Sequence, residues 1–168
     1  MMMLQVLSLA VLLSDCTAAR PRETPQTIHV TGSGVDLLNG AVIHSKVESA
    51  TGSVQKSTEI VELTGDLKGK VLYQVTTTID FAKQTLVNTG NQVFSGTVAG
   101  SEPVMIHDDQ FRFDVNLATG EESGNIYLYD WISGPKVRCT LHLVGPGGVN
   151  ADGNPIFDYA GDCTFRGN

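Results

Sequence analysis

The strongest constraint on the fold is a repeated alternation of apolar and polar residues with a period of two. It is clearest in residues 69–80, 111–117, 137–143 and 157–165, where most alternate positions are apolar. Such alternation is typical of β-strands that bury one face. Further strands are predicted at residues 27–31, 41–48, 54–63, 92–98 and 124–131.

Turn residues separate these segments, and no segment shows a convincing helical period of 3.6 residues. The chain has 168 residues, a length that favours one domain, and 18 of them are glycine. Closely spaced strands without helices between them favour an antiparallel barrel or sandwich. We therefore predict an all-β domain over residues 27–168, folded as an antiparallel up-and-down β-barrel of about eight strands.

The N terminus carries an apolar run at residues 3–13 that is too short to cross a bilayer, which takes about 20 residues. The run matches the apolar core of a signal peptide, and Ala18 and Ala19 provide small residues for cleavage. We expect a cleaved signal peptide at residues 1–19, a linker at 20–26, no transmembrane segment, and a secreted or extracytoplasmic protein. The alternative is a buried strand or helix, because no Lys or Arg precedes the run.

Cys16 lies just after the apolar run and gives the N terminus a second possible fate. The sequence around it resembles a bacterial lipobox, in which the cysteine is lipidated and becomes the first residue of the mature protein. Asp15 stands where a small residue is usual. We therefore prefer a cysteine that is removed with the signal peptide, and keep a lipid anchor at Cys16 as the alternative.

The other two cysteines predict both a disulfide and a strand register. Cys139 and Cys163 each lie on the apolar side of a predicted strand. If they face each other, Leu143 faces Tyr159 in the same antiparallel register, and the apolar side of both strands is kept. Directly opposed residues can form a disulfide, and oxidation is expected in an exported protein. The alternative is a pair of buried thiols in a cytosolic protein.

The net charge of -7 limits the partners of the chain, which has 11 basic and 18 acidic side chains. Binding to nucleic acid depends on basic stripes that contact phosphates, and electrostatic anchoring to anionic lipid depends on clusters of Lys and Arg. We therefore expect neither kind of partner.

No motif identifies a catalytic or metal centre. The four histidines do not have a metal-binding spacing, and the chain contains no nucleophile elbow, P-loop or dinucleotide-binding fingerprint. We expect no metal and no cofactor. His107 is a weak catalytic candidate, because Asp108 or Asp109 could orient its imidazole as a base. The alternative is a solvated loop.

Aromatic residues have the largest apolar side chains and supply the candidates for a ligand site. Small barrels are either filled by side chains or hold one small ligand. We predict Tyr73, Phe113, Trp131 and Tyr159 as ligand-lining residues, with ordinary core packing as the alternative.

Two short glycine-containing segments resemble a known family. Residues 62–70 (ELTGDLKGK) and 93–100 (VFSGTVAG) are similar to turn and strand elements of the allene oxide cyclase-like barrel group, which includes dirigent-type proteins. The resemblance implies an up-and-down barrel with an apolar lumen. It also implies that any enzyme of this kind works without a cofactor, by constraining a reactive apolar substrate.

Three functions follow from these observations. We prefer a secreted barrel without catalytic activity that binds a small apolar ligand or a surface partner. The second is a cofactor-free cyclase or isomerase, which predicts an inward-facing ionisable group such as Glu59, Glu62 or His44. The third is a structural envelope protein with a filled barrel, anchored by a lipid at Cys16. The sequence does not indicate the oligomeric state.

Overall fold

A computed structural model describes residues 24–166, apart from the side chains of residues 145 and 146. The predicted signal peptide, Cys16 and the first residues of the predicted linker lie outside this range. The described chain is built almost entirely of β-strands, with one short 3-10 turn at Leu38–Gly40. In chain order the strands are β1 (Gln26–Asp36), β2 (Val42–Ser49), β3 (Gly52–Gly65), β4 (Leu67–Asp80), β5 (Thr85–Val98), β6 (Val104–Asn116), β7 (Glu122–Leu128), β8 (Asp130–Ser133), β9 (Val137–Val149) and β10 (Pro155–Phe165).

The predicted antiparallel barrel of eight strands is confirmed. The wall runs in the order β3, β4, β5, β6, β7, β9, β10 and β1, and β1 closes it by pairing with β3 between Gly32 and Asp36. The other two strands lie outside this cylinder. β2 pairs with the part of β3 that extends beyond β1, and β8 pairs only with β6. The single strand predicted at 124–131 is therefore divided between β7 and β8.

The interior of the barrel follows from the alternation. On β4, Val71, Tyr73 and Val75 are buried, whereas Leu72 and Gln74 between them are exposed. The same pattern on the other strands gives one continuous core, whose largest fully buried side chains are Tyr159, Phe94, Leu67, Ile106, Leu128 and Leu141.

The predicted disulfide is present, and it joins β9 to β10. Cys139 is paired with Cys163, and the same ladder places Leu143 opposite Tyr159. This is the register that the cysteine pair predicts, and it keeps the apolar side of both strands. A structural disulfide is typical of proteins that fold in an oxidising compartment.

The two glycine-containing segments lie side by side at one end of the barrel. Residues 62–70 form the turn between β3 and β4, and residues 93–100 form the end of β5. Gly69 and Gly96 are direct partners across β4 and β5. A Cβ atom added at Gly96 would lie 2.8 Å from Gly69 Cα, which is closer than carbon atoms pack. Glycine at position 96 therefore permits this close approach of the two strands.

Within residues 24–166, none of the helical structure is long and apolar enough to span a membrane.

Candidate functional site

The barrel contains a cavity of about 280 Å³ toward the end at which β1, β6 and β9 finish. We call it the barrel cavity. Its walls are mostly apolar and come from both sides of the cylinder. The aliphatic lining includes Val61, Leu63, Val71, Val115, Leu128 and Leu141.

Four aromatic rings complete the apolar lining. Tyr73 and Phe111 meet edge to face with 5.8 Å between ring centroids, and Phe113 and Phe157 do the same at 5.7 Å. The first pair comes from β4 and β6, and the second from β6 and β10. β6 therefore contributes one ring to each pair, and the rings lie on strands from both halves of the wall.

A cluster of oxygen atoms lies at the wall of the cavity, centred on Tyr73. The Tyr73 hydroxyl oxygen lies 2.6 Å from Asp36 Oδ2 and 2.7 Å from Glu59 Oε2. Ser57 donates a hydrogen bond to the other carboxyl oxygen of Glu59. The three oxygen–oxygen contacts need three hydrogen atoms, and the hydroxyls of Ser57 and Tyr73 supply two. The third contact has a hydrogen of its own only when one of the two carboxyl groups is protonated.

Asp36 is the group that holds this proton most readily. Burial raises its pKa to about 6, the nearby charge of Glu59 adds to the increase, and the hydrogen bond from Tyr73 opposes it. Burial and the two carboxyl groups raise the pKa of Tyr73 well above its ordinary value. Tyr73 therefore remains a neutral hydrogen-bond donor, while Asp36 changes charge near pH 6.

Two buried side-chain oxygens in the described chain have no hydrogen-bond partner there, and both belong to residues that line the cavity. They are Asp36 Oδ1 and Asn88 Oδ1. An unpaired buried polar atom costs about 1–3 kcal/mol, so such atoms are uncommon in folded proteins. Each is therefore a candidate acceptor for a donor that a ligand brings into the cavity.

The remaining polar residues of the lining are Gln92 and Glu122. Gln92 uses its Nε2 atom to donate to buried Asp108 at 2.9 Å. Burial raises the pKa of Glu122. Lys, Arg and His are absent from the cavity lining formed by the described residues. The ionisable groups at the cavity are therefore carboxyls and a tyrosine.

Of the four catalytic candidates taken from the sequence, the structure brings only Glu59 to this site. Glu62 is exposed on the outer face of β3, because it is out of phase with buried Val61 and Leu63. His44 is exposed on β2, where its Nε2 lies 2.8 Å from Thr58 Oγ1.

His107 is also outside the cavity lining, with its Nδ1 atom 3.5 Å from Asp130 Oδ2. Its neighbour Asp108 is fully buried and accepts three hydrogen bonds. The two residues lie on opposite faces of β6, so Asp108 does not orient the imidazole as the sequence suggested. Within residues 24–166, no group of three or more His, Cys, Asp or Glu residues is arranged to hold a metal ion.

Of the four predicted ligand-lining residues, Tyr73 and Phe113 line the cavity. Tyr159 lies deeper in the core, where its hydroxyl accepts a hydrogen bond from the main-chain nitrogen of Leu67 at 2.9 Å and lies 3.0 Å from Thr64 O. Trp131 is 45 % exposed on β8, and its indole nitrogen donates to Gly134 O at 2.9 Å. It misses the cavity because β8 is not part of the closed wall.

Sequence reasoning missed Asp36, although a signal for it exists. Val30 faces the core, and the period of two on β1 continues through Gly32 and Gly34 to Asp36. The two glycines interrupt the apolar pattern and hide the carboxylate at its end.

Comparison of the chain with protein-family models, with curated proteins and with solved structures found no significant match.

Proposed function

We propose that this protein binds a small, mostly apolar molecule in the barrel cavity. The observation that carries the proposal is an apolar cavity lined in part by Asp36 and Asn88, each of which has a buried oxygen without a hydrogen-bond partner among the described residues. Ligand sites typically combine apolar walls with a few polar groups that fix orientation. The volume of about 280 Å³ is nearly twice that of a roughly 150 Å³ protein cavity that holds benzene.

The experiment compares two substitutions on neighbouring positions of β4. Val71→Phe places a ring in the cavity, whereas Leu72→Phe adds the same ring to the exposed outer face. The neutral fluorescent probe N-phenyl-1-naphthylamine reports binding. We expect the wild type and Leu72→Phe to bind it, and Val71→Phe to lose binding.

Val115→Phe fills the cavity from a partly exposed position on β6 and serves as a second test if Val71→Phe does not fold. Far-UV circular dichroism checks that each variant keeps its strands. Unchanged binding in a folded cavity-filling variant, or no binding by the wild type, would refute the proposal.

We also propose that the protein is exported and works outside the cytoplasm. The disulfide between Cys139 and Cys163 supports this location, as does the predicted signal peptide. The mass of the mature protein, isolated from its own cell, tests it. An N terminus at Arg20 supports secretion, an acylated Cys16 supports a lipid anchor, and an intact Met1 contradicts both.

A cofactor-free isomerase or cyclase is the second candidate, and the Asp36–Tyr73 contact favours it. When protonated, Asp36 can donate to an oxygen of an apolar substrate, and Tyr73 can hydrogen-bond the carboxylate that remains. The resemblance to the allene oxide cyclase-like group points to the same chemistry. Limonene oxide is a suitable probe. Isomerisation that Asp36→Asn abolishes, without loss of probe binding, would support this function over simple binding.

A further inference from the structure

The charge and lining of the barrel cavity point to the charge of its ligand. We infer that the ligand is a small organic ammonium ion, with a protonated amine at the Asp36 end and an aromatic or aliphatic body among the rings. This inference deepens the proposed binding function and depends on it.

The charges around the barrel cavity favour a cationic ligand. Asp36 and Glu122 line the cavity, Glu59 lies directly behind Tyr73, and the described lining contains no basic side chain. Charges interact much more strongly in a partly buried site than in water. A ligand carboxylate or phosphate would face acidic groups only. A cationic ligand, by contrast, would form an ion pair with Asp36.

The unpaired acceptors at the cavity favour a ligand with several hydrogen-bond donors. The unpaired oxygens of Asp36 and Asn88 are both acceptors, and a ligand alcohol has a single hydrogen to donate. An ammonium group has three hydrogens. It can therefore serve more than one acceptor, and its charge strengthens each hydrogen bond.

The cavity is also lined by four aromatic rings, those of Tyr73, Phe111, Phe113 and Phe157. The face of an aromatic ring is electronegative, and it attracts an ammonium group by about 0.5–2 kcal/mol, with the larger values in desolvated sites. The same rings pack against an aromatic or aliphatic body. A cavity that combines aromatic faces with a carboxylate thus suits both ends of an arylalkyl amine.

The charge state of the Asp36 cluster gives the inference a pH dependence. Asp36 on β1 faces Tyr73 from β4, which also contacts Glu59 from β3, and Ser57 is bonded to Glu59. Above about pH 6, Asp36 is mostly ionised and the cluster lacks one hydrogen. A bound ammonium that donates to the unpaired Oδ1 of Asp36 stabilises the carboxylate by its charge. Affinity for an amine should therefore rise as the pH increases through about 6, and then level off.

The test uses three probes with similar carbon skeletons, namely 2-phenylethylamine, 2-phenylethanol and 3-phenylpropanoate. Isothermal titration calorimetry on the disulfide-bonded protein at pH 7.5 measures each affinity. We expect the amine to bind at least about tenfold more tightly than the alcohol, which corresponds to 1.4 kcal/mol, and the propanoate not to bind measurably. An alcohol that binds as well as the amine, or a propanoate that binds, would overturn the inference.

Two variants separate charge from shape. Asp36→Asn should remove the preference for amine over alcohol, whereas Glu62→Gln, which makes the same charge change on the outer face, should keep it. Phe113→Leu removes one ring and keeps an apolar side chain. Phe113→Leu should weaken binding of the amine more than binding of the alcohol. It remains informative if Asp36→Asn does not fold.

Different outcomes refute the ammonium ligand alone and the cavity as the binding site. If N-phenyl-1-naphthylamine binds the wild type but the affinities of the amine, the alcohol and the propanoate do not follow the expected order, the ammonium ligand is refuted and the apolar site stands. If Val71→Phe leaves the binding of every probe unchanged, the cavity is not the site and both proposals fail.

Discussion

Asp108 Oδ2 accepts a hydrogen bond from the main-chain nitrogen of Tyr127 at 2.9 Å, which connects β6 to β7 beyond the point where their ladder ends. The regular pairing of these strands covers only Arg112–Val115 on the β6 side. The Asp108 side chain also accepts from Gln92 Nε2 at 2.9 Å and from Gln110 N at 2.7 Å. A buried carboxylate thus replaces main-chain pairing in this part of the wall.

Replacement of Asp108 by alanine should be strongly destabilising. The substitution leaves three donors without their acceptor, and each unpaired buried group costs about 1–3 kcal/mol. Partial rearrangement lowers the sum, so we expect the free energy of unfolding to fall by about 3 kcal/mol in urea denaturation. The exposed neighbour Asp109 gives the control, because Asp109→Ala should change the free energy of unfolding by less than about 0.5 kcal/mol. Equal effects of the two substitutions would contradict the bridging role of Asp108.

Loss of the disulfide should also lower stability. Cys139 and Cys163 are 24 residues apart, and a crosslink that closes a loop of this size contributes about 3 kcal/mol. The double substitution to alanine should lower the free energy of unfolding by about this amount. The same loss should follow reduction of the wild type with dithiothreitol, which must leave the double variant unaffected. If the reductant also lowers the stability of the double variant, the loss seen in the wild type is not caused by breaking the disulfide.

Replacement of Asp36 by asparagine should stabilise the unliganded protein at neutral pH. The pKa of Asp36 is raised from 3.8 to about 6 on folding, so the folded state binds more protons between these values. The contribution of Asp36 to stability is therefore complete below about pH 4 and is lost as the pH rises through about 6.

An asparagine keeps a neutral side chain at every pH, and its amide can donate to Tyr73. We expect Asp36→Asn to be more stable than the wild type by about 1–2 kcal/mol at pH 7.5, a value reduced for partial exposure. The advantage should vanish at pH 3.5. Thermal unfolding measured across this range tests the sign, and a stability difference independent of pH would refute the raised pKa.

Substitution of Gly96 should disturb the contact between β4 and β5. An alanine Cβ there would lie 2.8 Å from Gly69 Cα and 2.9 Å from the carbonyl carbon of Lys68. Relief requires a backbone shift, so Gly96→Ala should lower the free energy of unfolding by about 2 kcal/mol. Gly40 has open space around it, and Gly40→Ala should be close to neutral. Comparable midpoints of urea unfolding for the two variants would contradict this explanation.

The sequence predicted those parts of the fold that depend on local alternation. Cys139, Leu141 and Leu143 are in phase with Tyr159, Gly161 and Cys163, and one apolar side per strand excludes a slip by one residue. The cysteine pair then selects one register among those that remain. The strand at 124–131 is the counterexample. The chain leaves the wall after Leu128, and Trp131 lies outside because its position depends on how β8 meets β6. No pattern within the segment encodes that contact between distant strands.

The candidate site was only partly predictable for a related reason. Tyr73 and Phe113 could be found because they lie in phase with apolar neighbours on strands whose inner face is clear. The partnership of Asp36, Glu59 and Tyr73 depends on three strands that meet when β1 closes the barrel. Closure is a property of the whole sheet, and period-two patterns describe one strand at a time.

The uneven length of the ladders has a mechanical consequence. β3 to β6 form one broad plate, and β9, β10 and β1 form another, with long pairings inside each. The main-chain ladders that join the plates are the one at Gly32–Asp36 on one side and those of the short strand β7 on the other. Fewer main-chain hydrogen bonds hold the wall at these two seams than within the plates, so local opening of the barrel should begin there.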